Sequence, residues 1–347
     1  MENPSEWIAL IAPATYDSYP PDVYNLGCRD AELGRWFLSS LAAPNVNVPA
    51  QGIHVLDGAY VSDLTLVYHR DKTPFIPSTV DHLNLLDLDS LSDLYGAPCH
   101  IRGESAFIFK AGKDNYGHFL IEILPKLELL AASGLHRVPL IVPTLPESLR
   151  SILDFIMKVV YKGRFSAVKM ESALVRTDRL YMPSAVTRHN SQKSATVLQF
   201  AARVSEAIPD GPGAGRKIYV SRSGFGNRIL ENEAELEDVF RKSGFSVIRP
   251  HLLPFEDQVR MFRAASVVAG PMGAALSSIV FCQPKTHIIM LDPGTHDMFF
   301  YDLSRLKHQR FSWIFASPLV RSSVEALHSP WTMNVQLVDT ALRQIVS

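Results

Sequence analysis

An α/β fold in two domains is what the sequence predicts, and three observations predict it. Apolar runs of strand length alternate with amphipathic segments of helix length in both halves of the chain. A Pro- and Gly-rich stretch, PDGPGAGR at 209–216, separates those halves. The length, 347 residues, exceeds what one hydrophobic core usually organises. We therefore expect an N-terminal α/β domain over 1–190, a linking region over 191–213 and a C-terminal α/β domain over 214–347. Two such domains make a cleft between them, and open α/β sheets place ligands at the carboxyl ends of their strands.

The elements follow in chain order. WIALIA, TLVYH and AFIFK read as short strands, separated by Pro, Gly and Asp clusters. A helix is expected over 115–133, within DNYGHFLIEILPKLELL, with Ser133-Gly134 as its stop. VPLIVP fits a buried parallel strand, SLRSILDFIMKVV has helical spacing, and DRLYMP is a further strand. A weaker helix spans 194–208. Beyond the linker, KIYVSR, FSVIRP, SVVAG and THIIMLDP read as strands. ENEAELEDVFRKSG, PFEDQVRMFRAAS and GAALSSIVF read as the helices between them. No internal repeat is evident.

Composition narrows the function classes. Hydrophobic residues make up 47% and charged residues 20%, the balance of a globular protein. Lys+Arg 34 against Asp+Glu 35 gives a net charge of -1, so bulk attraction to nucleic acid or anionic lipid is not expected. The three cysteines, Cys28, Cys99 and Cys282, are odd in number and widely spaced; they suggest a reducing compartment and no structural zinc. The N-terminus has acidic residues before a short apolar run, unlike a secretory signal, and no apolar run is long enough to span a bilayer. A cytoplasmic protein is expected, or one peripheral at the inner membrane face.

Three places could carry chemistry. On the first helix, His118 and Glu122 are four residues apart and share a face, while Pro125 must interrupt the helical hydrogen bonding. An exposed surface pair and an acid/base site are both open readings. Two ligands without HExxH make a metal site the weaker one. In YVSRSGFGNRILENEAEL, Arg222 and Arg228 sit in a strand-to-helix loop, suited to phosphate oxygens, or are solvated loop arginines. In VVAGPMGAALSSIVF, Gly270, Gly273 and Ala274 would let a ligand approach backbone and a helix start, or would serve tight packing. Neither loop is GxxxxGK[ST] or GxGxxG. Together the last two sites suggest a pocket for a phosphorylated ligand, most plainly a nucleotide.

The order NYGHFLIEILPKL, SRSGFGNRILENEAEL, GPMGAALSSIVF resembles the glycosyltransferase 61 family in its bacterial form, often labelled capsular polysaccharide biosynthesis protein. The resemblance covers about residues 100–300. It implies a GT-B-like fold, two Rossmann-like α/β domains facing a central cleft. It also implies inverting transfer from a nucleotide sugar, a UDP-sugar by default, to a glycan or lipid-linked acceptor in surface polysaccharide synthesis. No metal or other cofactor is required. Carried over by motif, Glu122 and His118 would be catalytic, with Glu122 slightly favoured as base. Ser221, Arg222, Arg228, Asn232, Glu233, Gly270, Gly273 and Ala274 would bind the donor nucleotide. Asn115, Tyr116 and Lys126 would lie on the acceptor side. Two positions depart from the family pattern: Met272 stands where His is frequent, and Ser278 where Asn is frequent. A non-catalytic nucleotide- or sugar-binding module, and a nucleotide-sugar hydrolase or epimerase, are the alternatives.

Overall fold

The computed structural model describes residues 6–27, 31–78, 97–135, 137–211, 215–295, 297–317 and 329–346. Cys28 and residues 212–214 of the PDGPGAGR stretch lie outside them. The chain forms two compact units, and both are α/β. They interleave in sequence. One comprises 1–14, 48–187 and 199–207; the other comprises 15–47, 188–198 and 208–347. The expected linking region is largely occupied by the helix Ala195–Ala207.

The first unit is built on a seven-stranded mixed sheet. Ser166–Lys169, Pro139–Val142, Cys99–Ala106 and Leu174–Pro183 lie side by side and parallel, which is the order 3-2-1-4 in sequence. Gln51–Ser62 and Glu6–Ile11 then continue the sheet antiparallel, so this sheet is only partly of the Rossmann kind. The strand order reverses between Cys99–Ala106 and Leu174–Pro183. In open α/β sheets that reversal leaves a crevice outside the carboxyl ends of the two strands. The expected AFIFK strand ends at Ala106. Phe107, Ile108 and Phe109 are buried beyond it, anchoring the chain as it turns toward that edge.

The second unit has a six-stranded sheet, all parallel: Ser246–Ile248, Arg216–Val220, Ala265–Pro271, His287–Asp292, Arg310–Phe315 and Asp22–Tyr24. The first five follow the doubly wound order 2-1-3-4-5, whose switch point falls between Arg216–Val220 and Ala265–Pro271. Burial on both faces explains why IIML in the fourth strand has no polar alternation. Tyr219, Leu236, Phe240, Ala269, Ile289, Leu291 and Ile314 form one core with the helices Glu233–Lys242 and Val335–Val346. No described helix is long and apolar enough to cross a membrane.

Candidate functional site

Two groups of side chains stand at the two switch points. In the first unit the chain leaves Cys99–Ala106 and re-enters a helix at Tyr116. Asn115 starts that helix from an extended conformation. Its Oδ1 accepts the amides of Gly117 at 2.8 Å and His118 at 3.4 Å. This is ordinary N-capping, so the side chain expected on the acceptor side is used by the backbone. One α turn, Tyr116–His118, passes into a π turn, Phe119–Ile123. Pro125 follows, after Leu124. It offers no N–H to Ile121, and the Leu124 amide reaches five residues back to the Phe119 carbonyl at 3.0 Å. The helix resumes over Lys126–Ala132.

Four residues after His118, Glu122 is brought beneath it. His118 Nδ1 lies 2.9 Å from Glu122 Oε2, and the Lys110 ammonium bonds the same oxygen. The Glu122 side chain is only 2% exposed, against 32% for His118. A carboxylate has only lone pairs to offer, so in a neutral imidazole this contact puts the proton on Nδ1 and makes Nε2 the acceptor nitrogen. Glu122 also lines a cavity of about 220 Å³, together with Lys110, Lys126, His54, Phe109 and Met182. Lys126 is buried there, and Tyr116 is half-buried at the helix start. Burial lowers the His54 pKa below its ordinary value.

Gly112 explains how the loop before the helix fits. Its φ is +82°, and a Cβ there would stand 2.9 Å from His118 Cδ2. The turn therefore lies directly on the imidazole. Lys110 and Gly112 were not singled out from sequence; the available signal was a lysine and a glycine just where the apolar run AFIF ends.

At the switch point of the second unit, Arg222 and Arg228 follow the Arg216–Val220 strand, while Met272-Gly273-Ala274 follow Ala265–Pro271. The Arg222 guanidinium lies on Gly273: a Cβ at 273 would come 1.8 Å from Nη1. Arg222 Nη2 donates to the Asn227 carbonyl at 2.8 Å, but Nε is buried without a hydrogen-bond partner among the described residues. Arg228 sits at φ 52° and points Nη1 toward the Met272 carbonyl at 3.4 Å. Burial lowers the pKa of both arginines, and each cation stands close enough for Arg228 to destabilise the charge on Arg222. Asp297 and Asp292 act the other way on Arg228. Two half-buried cations that repel one another favour an anion between them. The 3₁₀ helix Ala274–Phe281 begins beside them, and a helix's first amides have no partner within it.

The other residues expected at this site hold it together. Ser221 is buried; its hydroxyl donates to Glu237 at 2.8 Å and accepts the Ser223 amide at 3.1 Å. Glu233 accepts the Arg222 amide at 2.7 Å, and burial raises its pKa. Asn232 exchanges two bonds with the Met333 backbone, at 2.8 and 3.0 Å, and so braces the C-terminal segment. Gly270 lies on Val220: a Cβ would meet the Val220 carbonyl at 2.8 Å. Met272 is buried, its sulfur accepting the Thr295 hydroxyl at 3.2 Å, and Ser278 is buried on the helix behind it. Asp292, unforeseen from THIIMLDP, ends the neighbouring strand. It accepts from Gly294 N and Thr295 N at 2.8 and 2.7 Å and from Trp313 Nε1 at 2.9 Å. Burial nevertheless raises its pKa to about 6. Among the described residues, no cluster of three or more His, Cys, Asp or Glu could hold a metal ion.

Both units are thus α/β, with His118 and Glu122 at the switch point of the mixed sheet and Arg222 and Arg228 at that of the parallel one. The family model of glycosyltransferase 61 matches residues 116–289, half of the chain, and the chain belongs to that family of glycosyltransferases. No curated protein matches it. Both His118–Glu122 and Arg222–Gly273 fall inside the matched region; Lys110 and Gly112 precede it.

Proposed function

We propose that the protein is an inverting, metal-independent glycosyltransferase. It takes a nucleotide sugar, a UDP-sugar by default, and glycosylates a glycan or lipid-linked acceptor in surface polysaccharide synthesis. The two units would work as the halves of a GT-B-like enzyme. The donor would be held on the C-terminal unit and the acceptor hydroxyl activated from the N-terminal one. The observation that carries this is the Arg222–Arg228 pair at the doubly wound switch point, with Gly273 leaving room for the guanidinium. Those cations, and the amides at Ala274, suit a diphosphate before and after it leaves.

His118 Nε2 is the base in this scheme, and Glu122 the group that orients it. Glu122 is nearly inaccessible and Oε2 already serves two donors, which supports His118 as base where the sequence slightly favoured Glu122. The acceptor O–H gives its proton to Nε2. Its oxygen attacks the anomeric carbon from the face opposite the diphosphate, and the C–O bond to phosphate breaks with both electrons leaving on the nucleotide. A single displacement of this kind inverts the anomeric centre.

Calorimetric titration of nucleoside diphosphates and their sugars tests both halves together. Arg222→Ala should weaken binding about tenfold or more, the loss of one charge-assisted bond. His118→Ala should leave that binding intact and lower kcat by roughly 10²–10⁴. If no nucleotide binds the unmodified protein, or if Arg222→Ala binds as well as it does, the donor assignment is wrong.

A further inference from the structure

Lys110 and Gly112 lie in one turn, outside the matched region, yet both touch the reacting pair. We infer that this turn is a working part of the site and that Lys110 is a positioning residue, setting the proton affinity of the His118–Glu122 pair. The inference rests on the proposed role of His118 as base.

The physical case starts from burial. A carboxylate that is 2% exposed is disfavoured as an anion and would tend to keep a proton. A neutral Glu122 would instead donate to Nδ1, which moves the imidazole proton to Nε2 and leaves no lone pair there for the acceptor's proton. Lys110 opposes this by placing its ammonium on Oε2. With His118 neutral, Lys110 and Glu122 cancel, so the trio carries no net charge. Two further titratable groups line the same cavity. Lys126 stands on the same helical stretch and His54 on the Gln51–Ser62 strand across the cavity; Met182 and Pro183 present apolar atoms from Leu174–Pro183. Gly112 completes the arrangement by leaving room for the imidazole, since a Cβ there would stand 2.9 Å from His118 Cδ2.

Removing the cation has one sign. Lys110→Met leaves a buried pair with net negative charge whenever His118 is neutral. That pair takes up a proton at higher pH, whichever of its atoms holds it. The imidazole resonances of His118, followed by NMR across pH in the full chain, should move to a higher midpoint by about one unit or more. Lys110→Arg should stay near the unmodified protein. The acid limb of kcat/KM should shift the same way in Lys110→Met, so that turnover lost at neutral pH returns at alkaline pH. A midpoint that is unmoved or falls in Lys110→Met overturns the inference. So does an activity loss that is equal at every pH, which would make Lys110 merely structural. The two claims separate cleanly. If His118→Ala retains turnover, the base assignment fails, while the NMR midpoint still decides whether Lys110 tunes the pair.

Discussion

A methyl group at position 273 has nowhere to go. Gly273 has an extended φ of 172°, which any residue can adopt, so its need for glycine is steric and comes entirely from the Arg222 guanidinium 1.8 Å from where a Cβ would be. Gly273→Ala should therefore displace Arg222 without removing it. Nucleotide affinity should fall as in Arg222→Ala while the melting temperature changes little, and equal affinity in the alanine variant would show that the guanidinium is not a ligand. At this scale the sequence was informative about which residues, and less so about what each does. Arg222, Arg228 and Gly273 could be read from loop chemistry. Asn232, Glu233 and Ser221 look equally polar in sequence, but their partners are Met333, the Arg222 amide and Glu237. Those partners lie up to about a hundred residues away and no local pattern announces them. Lys110 was hidden for the same reason: its meaning is Glu122, a helix later.

The helix carrying His118 and Glu122 shows what one proline does to an element. A π turn inserts an extra residue per turn, widening the backbone where Pro125 has no hydrogen to give. Pro125→Ala restores a donor for the Ile121 carbonyl and permits an uninterrupted α-helix. The expected result is a protein at least as stable to heat but with lower kcat, since Glu122 would rotate relative to His118 and Lys110. Unchanged kcat with higher stability would mean the π turn is dispensable. The helix was legible in its spacing and its Ser133-Gly134 stop; the π turn was not, because a proline announces a break and not its form. Strands divide similarly. Pro139–Val142 and His287–Asp292 were evident as continuous apolar runs. Gln51–Ser62 was not, because its twelve residues include Gln51, His54, Asp57 and two glycines and it is buried on both faces without alternation.

For the whole molecule, the pH dependence of stability comes from buried groups, one of which, Asp292, also acts on Arg228. His287, at the opposite end of its strand from Asp292, bonds the Ser312 hydroxyl at 2.8 Å, and burial lowers its pKa from 6.5 to about 4. A lowered folded-state pKa contributes stability that is complete above 6.5 and is lost as pH falls through about 4. Asp292 and Asp302 have the reverse sign. Burial raises both from 3.8 to about 6, so their contribution is complete below 3.8 and is lost as pH rises through about 6. The opposing windows overlap between about 4 and 6, flattening the stability curve there. His287→Gln keeps a partner for Ser312 and removes one side of the balance. The melting temperature of this variant relative to the unmodified protein should climb as pH falls from 6.5 to 4. A difference independent of pH would discard the explanation.

The six-stranded sheet closes on Asp22–Tyr24, a strand that leaves the ribosome before any of its neighbours. Arg310–Phe315, against which it pairs through Ser312, Trp313 and Ile314, is nearly three hundred residues downstream. During synthesis the early strand must wait, without this partner, until Arg310–Phe315 has emerged, and its docking is a late, long-range event. A fragment begun at the PDGPGAGR stretch would carry every nucleotide-binding candidate of the second unit and still present Arg310–Phe315 as a bare sheet edge, apolar and ready to pair with another copy of itself.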